Sequence, residues 1–400
     1  MLDDDELPYD ALLFAGTHNS AINLGERTVL RPHNAEGGAY PSEAHLAYEY
    51  LVMNQRLSVL DQLEQGVRVL DFEVASLDST KWACNSSAVS MGTRCIEETH
   101  ITTGRCFRDC PFIVSHGSLD ESIGDFLGYT YPESVFSAVA EFVEKNPLEI
   151  VTVMLLASHG NRFPSGDAVV ARMNVSGLLQ YVWNLDPSAE FTSFPTLGEM
   201  RRERRTVLLL NGYGSWGPRF HGSHCNSTDI LGADGTCTRG TPCMEGWDAV
   251  SFFQLDPRRA VLSKNSPRAN TTTLFAIENL SSRRGRDDHS AKYWPLPNEL
   301  HDAPFQAGGN PAQAAAAANY THIRSLELAW TKLLAPYGSH PNWILVDFFN
   351  TTTPKPGVPS RALRPNPSEG LIRAVRDINN ERIAAWRQES EVYVALKTVS

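Results

Sequence analysis

Short apolar runs alternate along the chain with stretches of helical periodicity. Runs rich in β-branched and aromatic residues at 11–15, 67–74, 111–115, 149–156, 206–210, 249–253, 274–278 and 343–349 predict about eight strands. Amphipathic or alanine-rich segments between most of them predict helices at 58–65, 132–145, 312–334 and 368–387. The second of these begins on Pro132, which a first helical turn accepts because its missing N–H has no intrahelical partner there. Most strands read as continuous apolar runs, the pattern of a parallel sheet covered on both faces. Strand and helix in alternation over this length predict an α/β fold, and a closed β/α barrel of the TIM type is the economical form of it. No internal repeat is evident, and the basic runs at 201–205 and 283–286 read as solvated faces.

Composition narrows the function classes. Of 400 residues, 42% are hydrophobic and 20% charged, an ordinary globular balance that excludes wholesale disorder. Acidic residues (46) exceed basic ones (35) for a net charge of −11, the wrong sign for a protein that binds nucleic acid by neutralising phosphates. No apolar run is long enough to span a bilayer.

Seven cysteines form two clusters, Cys84, Cys95, Cys106 and Cys110, then Cys225, Cys237 and Cys243, in stretches rich in Gly, Ser, Thr and Asn. Their spacing lacks the paired Cys-x2-Cys of a zinc site. Disulfides stapling two insertions, at about 78–110 and 212–247, are the expectation, with one thiol left over. Seven Asn-x-Ser/Thr sequons, at Asn85, Asn174, Asn226, Asn270, Asn279, Asn319 and Asn350, point the same way, to a secreted glycoprotein. The chain opens on Met1-Leu2-Asp3-Asp4-Asp5-Glu6 without an apolar signal core, so a signal segment is expected to be missing from it. A single domain over 1–400 is expected.

The chemistry lies at predicted strand ends, where β/α barrels place their catalytic groups. The first strand delivers Gly16-Thr17-His18-Asn19-Ser20. The second carries Asp71 and Glu73, two residues apart and therefore on one face, inward in a barrel. The third ends at His116-Gly117, and the last carries Asp347 between Val346 and Phe348. Two imidazoles, three carboxylates and a carboxamide at one mouth suit attack on a phosphodiester. One histidine removes a proton from a nucleophilic hydroxyl, and the other protonates the departing oxygen. A carboxylate bonded to one imidazole fixes its tautomer. Asn19, Asp71 and Glu73 offer only oxygen, the preference of Ca²⁺ or Mg²⁺, which would lower the hydroxyl's pKa and offset phosphoryl charge. No organic cofactor is expected.

In these residues the chain resembles the X-domain family of phosphatidylinositol-specific phospholipases C and their fungal and bacterial phosphodiesterase-like relatives. The resemblance runs from about 10 to 156, touches Phe194-Pro195-Thr196-Leu197-Gly198-Glu199-Met200, and resumes over 343–349. The family's His-Asn or His-Asp pair matches His18 and Asn19, its second histidine, followed by Gly, matches His116, and its Gly-x-Arg stretch matches Gly66-Val67-Arg68. The resemblance implies a distorted TIM barrel with His18 as base, His116 as acid and Asp347 orienting His18, and it brings Arg68 into the catalytic set. It also implies a phospholipid or phosphoinositol-type substrate, a cyclic first product and transient contact with a membrane surface.

Two departures stand out. Metal-independent bacterial members carry arginine where Glu73 stands, whereas calcium-dependent members have three ligand positions matching Asn19, Asp71 and Glu73. The fourth ligand of the latter, a glutamate, would fall near 154–156, which is apolar here. The insertion after 211 leaves the head group open. A sphingomyelinase D-like phospholipase on the same fold, and a secreted barrel that has lost catalysis, remain the alternative readings.

Overall fold

The computed structural model describes residues 4–22, 29–30, 55, 57–77, 96–98, 106–116, 128–157, 163–183, 194–211, 276–279, 320–334, 340–346 and 370–399. In chain order its main elements begin with β1 (Phe14–Thr17), β2 (Val29–Leu30), α1 (Val59–Glu64) and β3 (Val69–Ser76). The short strands β4 (Ile96–Glu98), β5 (Cys106–Arg108), β6 (Phe112–His116) and β7 (Gly128–Thr130) follow. Next come α2 (Pro132–Lys145), β8 (Val151–Ala157), α3 (Gly166–Val175), α4 (Leu197–Glu203) and β9 (Val207–Asn211). The chain finishes with β10 (Ala276–Asn279), α5 (Tyr320–Leu334), β11 (Trp343–Val346) and α6 (Leu371–Val399).

Six strands form a parallel arc in the order β10-β11-β1-β3-β8-β9. Three antiparallel strands, β6, β7 and β2, extend from β3, making nine strands in this sheet among the described residues. One expectation stands in part and one is corrected. The sheet is not closed among the described residues, since no pairing joins β9 to β10; the predicted strand at 249–253 and the insertion at 212–247 lie outside them. The run at 111–115 does not join the parallel set. Its strand β6 runs against β3, Val74 facing Val114 and Ser76 facing Phe112. A parallel return needs a crossover that carries the chain back to its starting level. The chain instead enters β6 directly from the β4–β5 hairpin, at the C-terminal end of β3.

Local sequence explains the elements around β1 and β3. Ser58 caps α1, its Oγ accepting from the Asp61 N–H at 3.1 Å. Gly66, at φ +100°, ends that turn: its N–H donates to Leu63 O and the Val67 N–H reaches back to Gln62 O, the paired bonds of a Schellman stop. In α2, Val135, Phe136, Val139, Phe142 and Val143 form one buried stripe. Phe136 lies 6.5 Å from Phe72 and 6.4 Å from Phe112. The even positions of β3 therefore face the helices, and Val69, Asp71, Glu73 and Ala75 face the concave side of the arc.

The N-terminal end of that interior is filled by Tyr9. Its ring stacks on Phe14 at 4.8 Å, and its hydroxyl meets Thr152 Oγ1 and accepts from Trp343 Nε1 at 2.8 Å. At the other end, Ala75, Leu77, Phe107, Cys110, Ile113 and Tyr129 form a second apolar cluster beyond Glu73. Among the described residues no cysteine is free and no helix is long and apolar enough to cross a membrane.

Candidate active site

Polar groups gather between these two apolar layers. Gly16 allows β1 to pass close to its neighbours, because a Cβ there would lie 2.4 Å from Leu345 Cδ2 and 2.9 Å from Val69 Cβ. Beyond it the pairing of β1 with β3 is interrupted. Thr17 is level with Leu70, and the next bond to β3 comes from Ser20, whose N–H donates to Asp71 O at 2.8 Å. His18 and Asn19 are looped out between these two contacts. Asn19 takes a left-handed conformation, φ +46°, which asparagine tolerates better than most residues.

Buried hydrogen bonds hold the loop. Thr17 Oγ1 donates to Gln62 Oε1 at 2.7 Å, and Ser20 Oγ donates to Thr17 O at 2.7 Å while accepting from the Asp71 N–H at 3.0 Å. Gln62 Nε2 donates to Ser20 O and Leu57 O, and Gln55 Nε2 donates to His18 O at 2.9 Å. Thus α1 and Gln55 set where the imidazole-bearing turn stands. Neither glutamine belongs to the sequence-derived set. The signal for Gln62 was a polar residue on the face of α1 that Val59 and Leu63 make apolar.

Of the predicted residues, His18, Asn19, Asp71 and Glu73 lie at one stretch of the β3 edge. At Val69 and Leu70, β3 has β1 on one side and β8 on the other. At Val74 it has β6 on one side and β8 on the other. So β1 and β6 occupy the same edge, β1 ascending from one end and β6 descending from the other, with Asp71–Glu73 in the gap between them. Continuing the β6 register sets the His116 backbone level with Phe72. It therefore comes within one or two residue rises, ~3–7 Å along the strand, of the His18 loop. His18, Asn19, Asp71 and Glu73 are all buried. The His116 side chain and the whole of Asp347 lie outside the described residues. Val346, the residue before Asp347, is level with Thr17, the residue before His18.

Arg68 does not join this cluster. It precedes β3 at the end away from the His18 loop, ~10 Å of extended chain from Asp71. Its Nε donates to Glu149 Oε2 at 2.9 Å and its Nη1 to the carbonyls of Leu63 and Val67 at 2.7 Å each, with its guanidinium 4.9 Å from the centre of the Phe142 ring. Arg68 ties α1 and α2 to the start of the strand, so its assignment to the catalytic set is corrected.

The residues present suit an oxygen-preferring cation in their chemistry. Asp71 and Glu73 share a face and Asn19 adds a neutral oxygen, with no nitrogen or sulfur donor among the three. Among the described residues no three of His, Cys, Asp and Glu form a group that could hold a metal ion. From β8, Met154 and Leu156 are level with Asp71 and Glu73 and bring no side-chain oxygen.

No family model and no curated protein sequence matches the chain. Among solved structures it is similar to the phosphatidylinositol-specific phospholipase C of Listeria monocytogenes, at 14% identity over 92% of this chain and 95% of that one, with a TM-score of 0.41. It is also similar to the phosphatidylinositol-specific phospholipase C of Staphylococcus aureus, in a structure concerned with modulating that enzyme's membrane binding. There the identity is 14% over 93% of this chain and 95% of that one, and the TM-score is 0.42.

Proposed function

We propose that the chain is a phosphoric diester hydrolase that cleaves the head-group phosphodiester of a phospholipid or glycolipid by acid–base chemistry between His18 and His116. The observation that supports this reading is the arrival of β1 and β6 on one edge of β3 from opposite directions, the first leading into His18 and the second ending on His116, beside the level of Asp71 and Glu73. His18 takes the proton of a head-group hydroxyl next to the phosphate, and the freed oxygen attacks phosphorus. His116 protonates the departing oxygen, so the first product is a cyclic phosphodiester. Asp347 holds the His18 ring and stabilises its cationic form. Asn19, Asp71 and Glu73 would hold a Ca²⁺ or Mg²⁺ ion, which when bound lowers the hydroxyl's pKa and offsets phosphoryl charge.

The same reading has the protein outside the cell as a glycoprotein, in keeping with Cys110 being disulfide-bonded. The test is cleavage of phosphatidylinositol and glycerophosphoinositol, with and without chelator, by the wild-type chain and by His18→Ala and His116→Ala. Each substitution is expected to lower turnover by about 10²-fold or more. Unchanged turnover in either variant contradicts the assignment. Phosphorus NMR of the products, over a panel that includes sphingomyelin and lysophospholipids, identifies the head group and the cyclic product.

A further inference from the structure

The two carboxylates, Asn19 and the histidines do not use up the polar groups of this pocket. Ser115, the residue before His116, is completely buried and its hydroxyl meets no hydrogen-bond partner. It stands in a strand that is otherwise apolar up to that point, Phe112-Ile113-Val114, where alanine would fill nearly the same space without a buried polar atom. Its direction follows from the pairing. Residues opposite one another across two strands face the same side, and Ile113 is opposite Ala75. Ser115, two residues on from Ile113, therefore shares the face of Ala75, Glu73 and Asp71. One further step of the β3–β6 register sets it opposite Glu73, with Cβ atoms ~5 Å apart. On its other flank it pairs with Tyr129.

Thr130 provides the contrast. Its hydroxyl is likewise buried without a hydrogen-bond partner, but it is opposite Val114, on the side turned to α2 and away from the carboxylates. A threonine there is accounted for by its methyl group and β-branching. A serine at 115 has neither.

We infer that Ser115 Oγ is a ligand of a divalent cation, added from the β6 edge to the oxygens of Asn19, Asp71 and Glu73. The inference rests on the cation of the proposed function and names the donor that completes its site. Two carboxylates on the same face disfavour an anion as the occupant. A hard, uncharged oxygen is the donor a Ca²⁺ or Mg²⁺ ion accepts alongside carboxylates. β8 offers Met154, Leu155 and Leu156 at this level, so the fourth protein donor comes from the opposite edge of β3. Ser115 also lies next to His116 in the chain, which ties the position of the second histidine to occupancy of the site.

The experiment is calorimetric titration of the full chain with CaCl₂ and MgCl₂, together with melting temperatures in EDTA and in excess Ca²⁺. Wild type is expected to bind one ion, Asp71→Asn to lose the binding, and Ser115→Ala to bind about tenfold or more weakly. Ser115→Ala should melt in EDTA at or above the wild-type temperature, since it removes an unsatisfied buried group; a purely structural serine would lower it. Ser115→Cys, nearly the same size with a soft donor, gives the same weakening and stands in if the alanine variant does not fold. Wild-type affinity in both Ser115 variants, with Asp71→Asn defective, overturns the Ser115 assignment and leaves the cation in place. No binding by wild type, or none that depends on Asp71, overturns the cation reading and this inference together.

Discussion

At the scale of single residues, the decisive groups support the histidine turn rather than belong to it. Gln62 is buried and uses both ends of its amide: the oxygen takes the Thr17 hydroxyl, and the nitrogen serves the carbonyls of Ser20 and Leu57. Gln62→Leu keeps the volume and strands those partners. Leaving a buried polar group unmade costs ~1–3 kcal/mol, so urea titration should show a loss of at least that size. Turnover should fall further than stability alone explains, because the His18 loop loses one of its two glutamine supports. A variant as stable as wild type would show that the hydroxyl chain finds other partners. Gly16→Ala is expected to cost ~1–3 kcal/mol by overpacking, since its Cβ would overlap Leu345 and Val69. That His18 and Asn19 follow β1, and that Asp71 and Glu73 share a face of β3, was legible in sequence from strand periodicity. Arg68 was misread because the family motif was followed, although the predicted strand at 67–74 already sets it at the opening end, away from the groups at the other. Gln62 left a signal, a polar residue on the apolar face of α1, whereas the direction of Ser115 was not legible, since only the pairing of β6 with β3 shows which face it shares.

At the scale of elements, boundaries followed local chemistry where it was strong. Pro132–Lys145 matched its expected span because proline opens it and an apolar stripe runs its length. The 58–65 helix lost only its capping residues, Ser58 and Gln65. The short strands β4, β5 and β7 had no pattern to read; three residues become a strand through their partners, and burial is settled between strands rather than along one. The helix at 166–175 was missed for a similar reason, its apolar stripe being weak although Ser165 caps it. Direction was the larger omission. An apolar run looks the same whether it joins a sheet parallel or antiparallel, and β6 could be oriented only from its register with Val74–Ser76. The Schellman stop of α1 yields an element-scale prediction. Gly66→Ala forces a side chain into φ +100° against Ile372. It should cost ~1 kcal/mol or somewhat more, read as a lower denaturation midpoint with an unchanged m-value.

For the molecule as a whole, the end of the sheet that Tyr9 fills carries two buried titratable groups that couple stability to pH. Asp10 O accepts from Asn342 Nδ2 at 2.6 Å and lies 3.0 Å from His340 Nε2, so the N-terminal segment is locked to the lead-in of β11. Arg382 of α6 donates to Pro341 O and pairs with Glu327 of α5, which brings both helices to the same point. Burial raises the Asp10 carboxyl from 3.8 to about 6, its own backbone N–H opposing the shift. Burial first, and then the Arg382 charge, lowers His340 from 6.5 to about 4. The raised Asp10 contributes stability that is full below 3.8 and lost as pH rises through 6; the lowered His340 contributes stability that is full above 6.5 and lost as pH falls through 4. Between about pH 4 and 6 unfolding releases a proton from the first and binds one at the second, so the slopes cancel. Separating them exposes each. Relative to wild type, His340→Gln should lose about 3 kcal/mol as pH rises from 4 to 6, and Asp10→Asn about 3 kcal/mol as pH falls from 6.5 to 4. Urea midpoints across pH 4–7 measure both, and parallel profiles for the two variants and wild type would show that these groups meet solvent alike in the folded and unfolded chain.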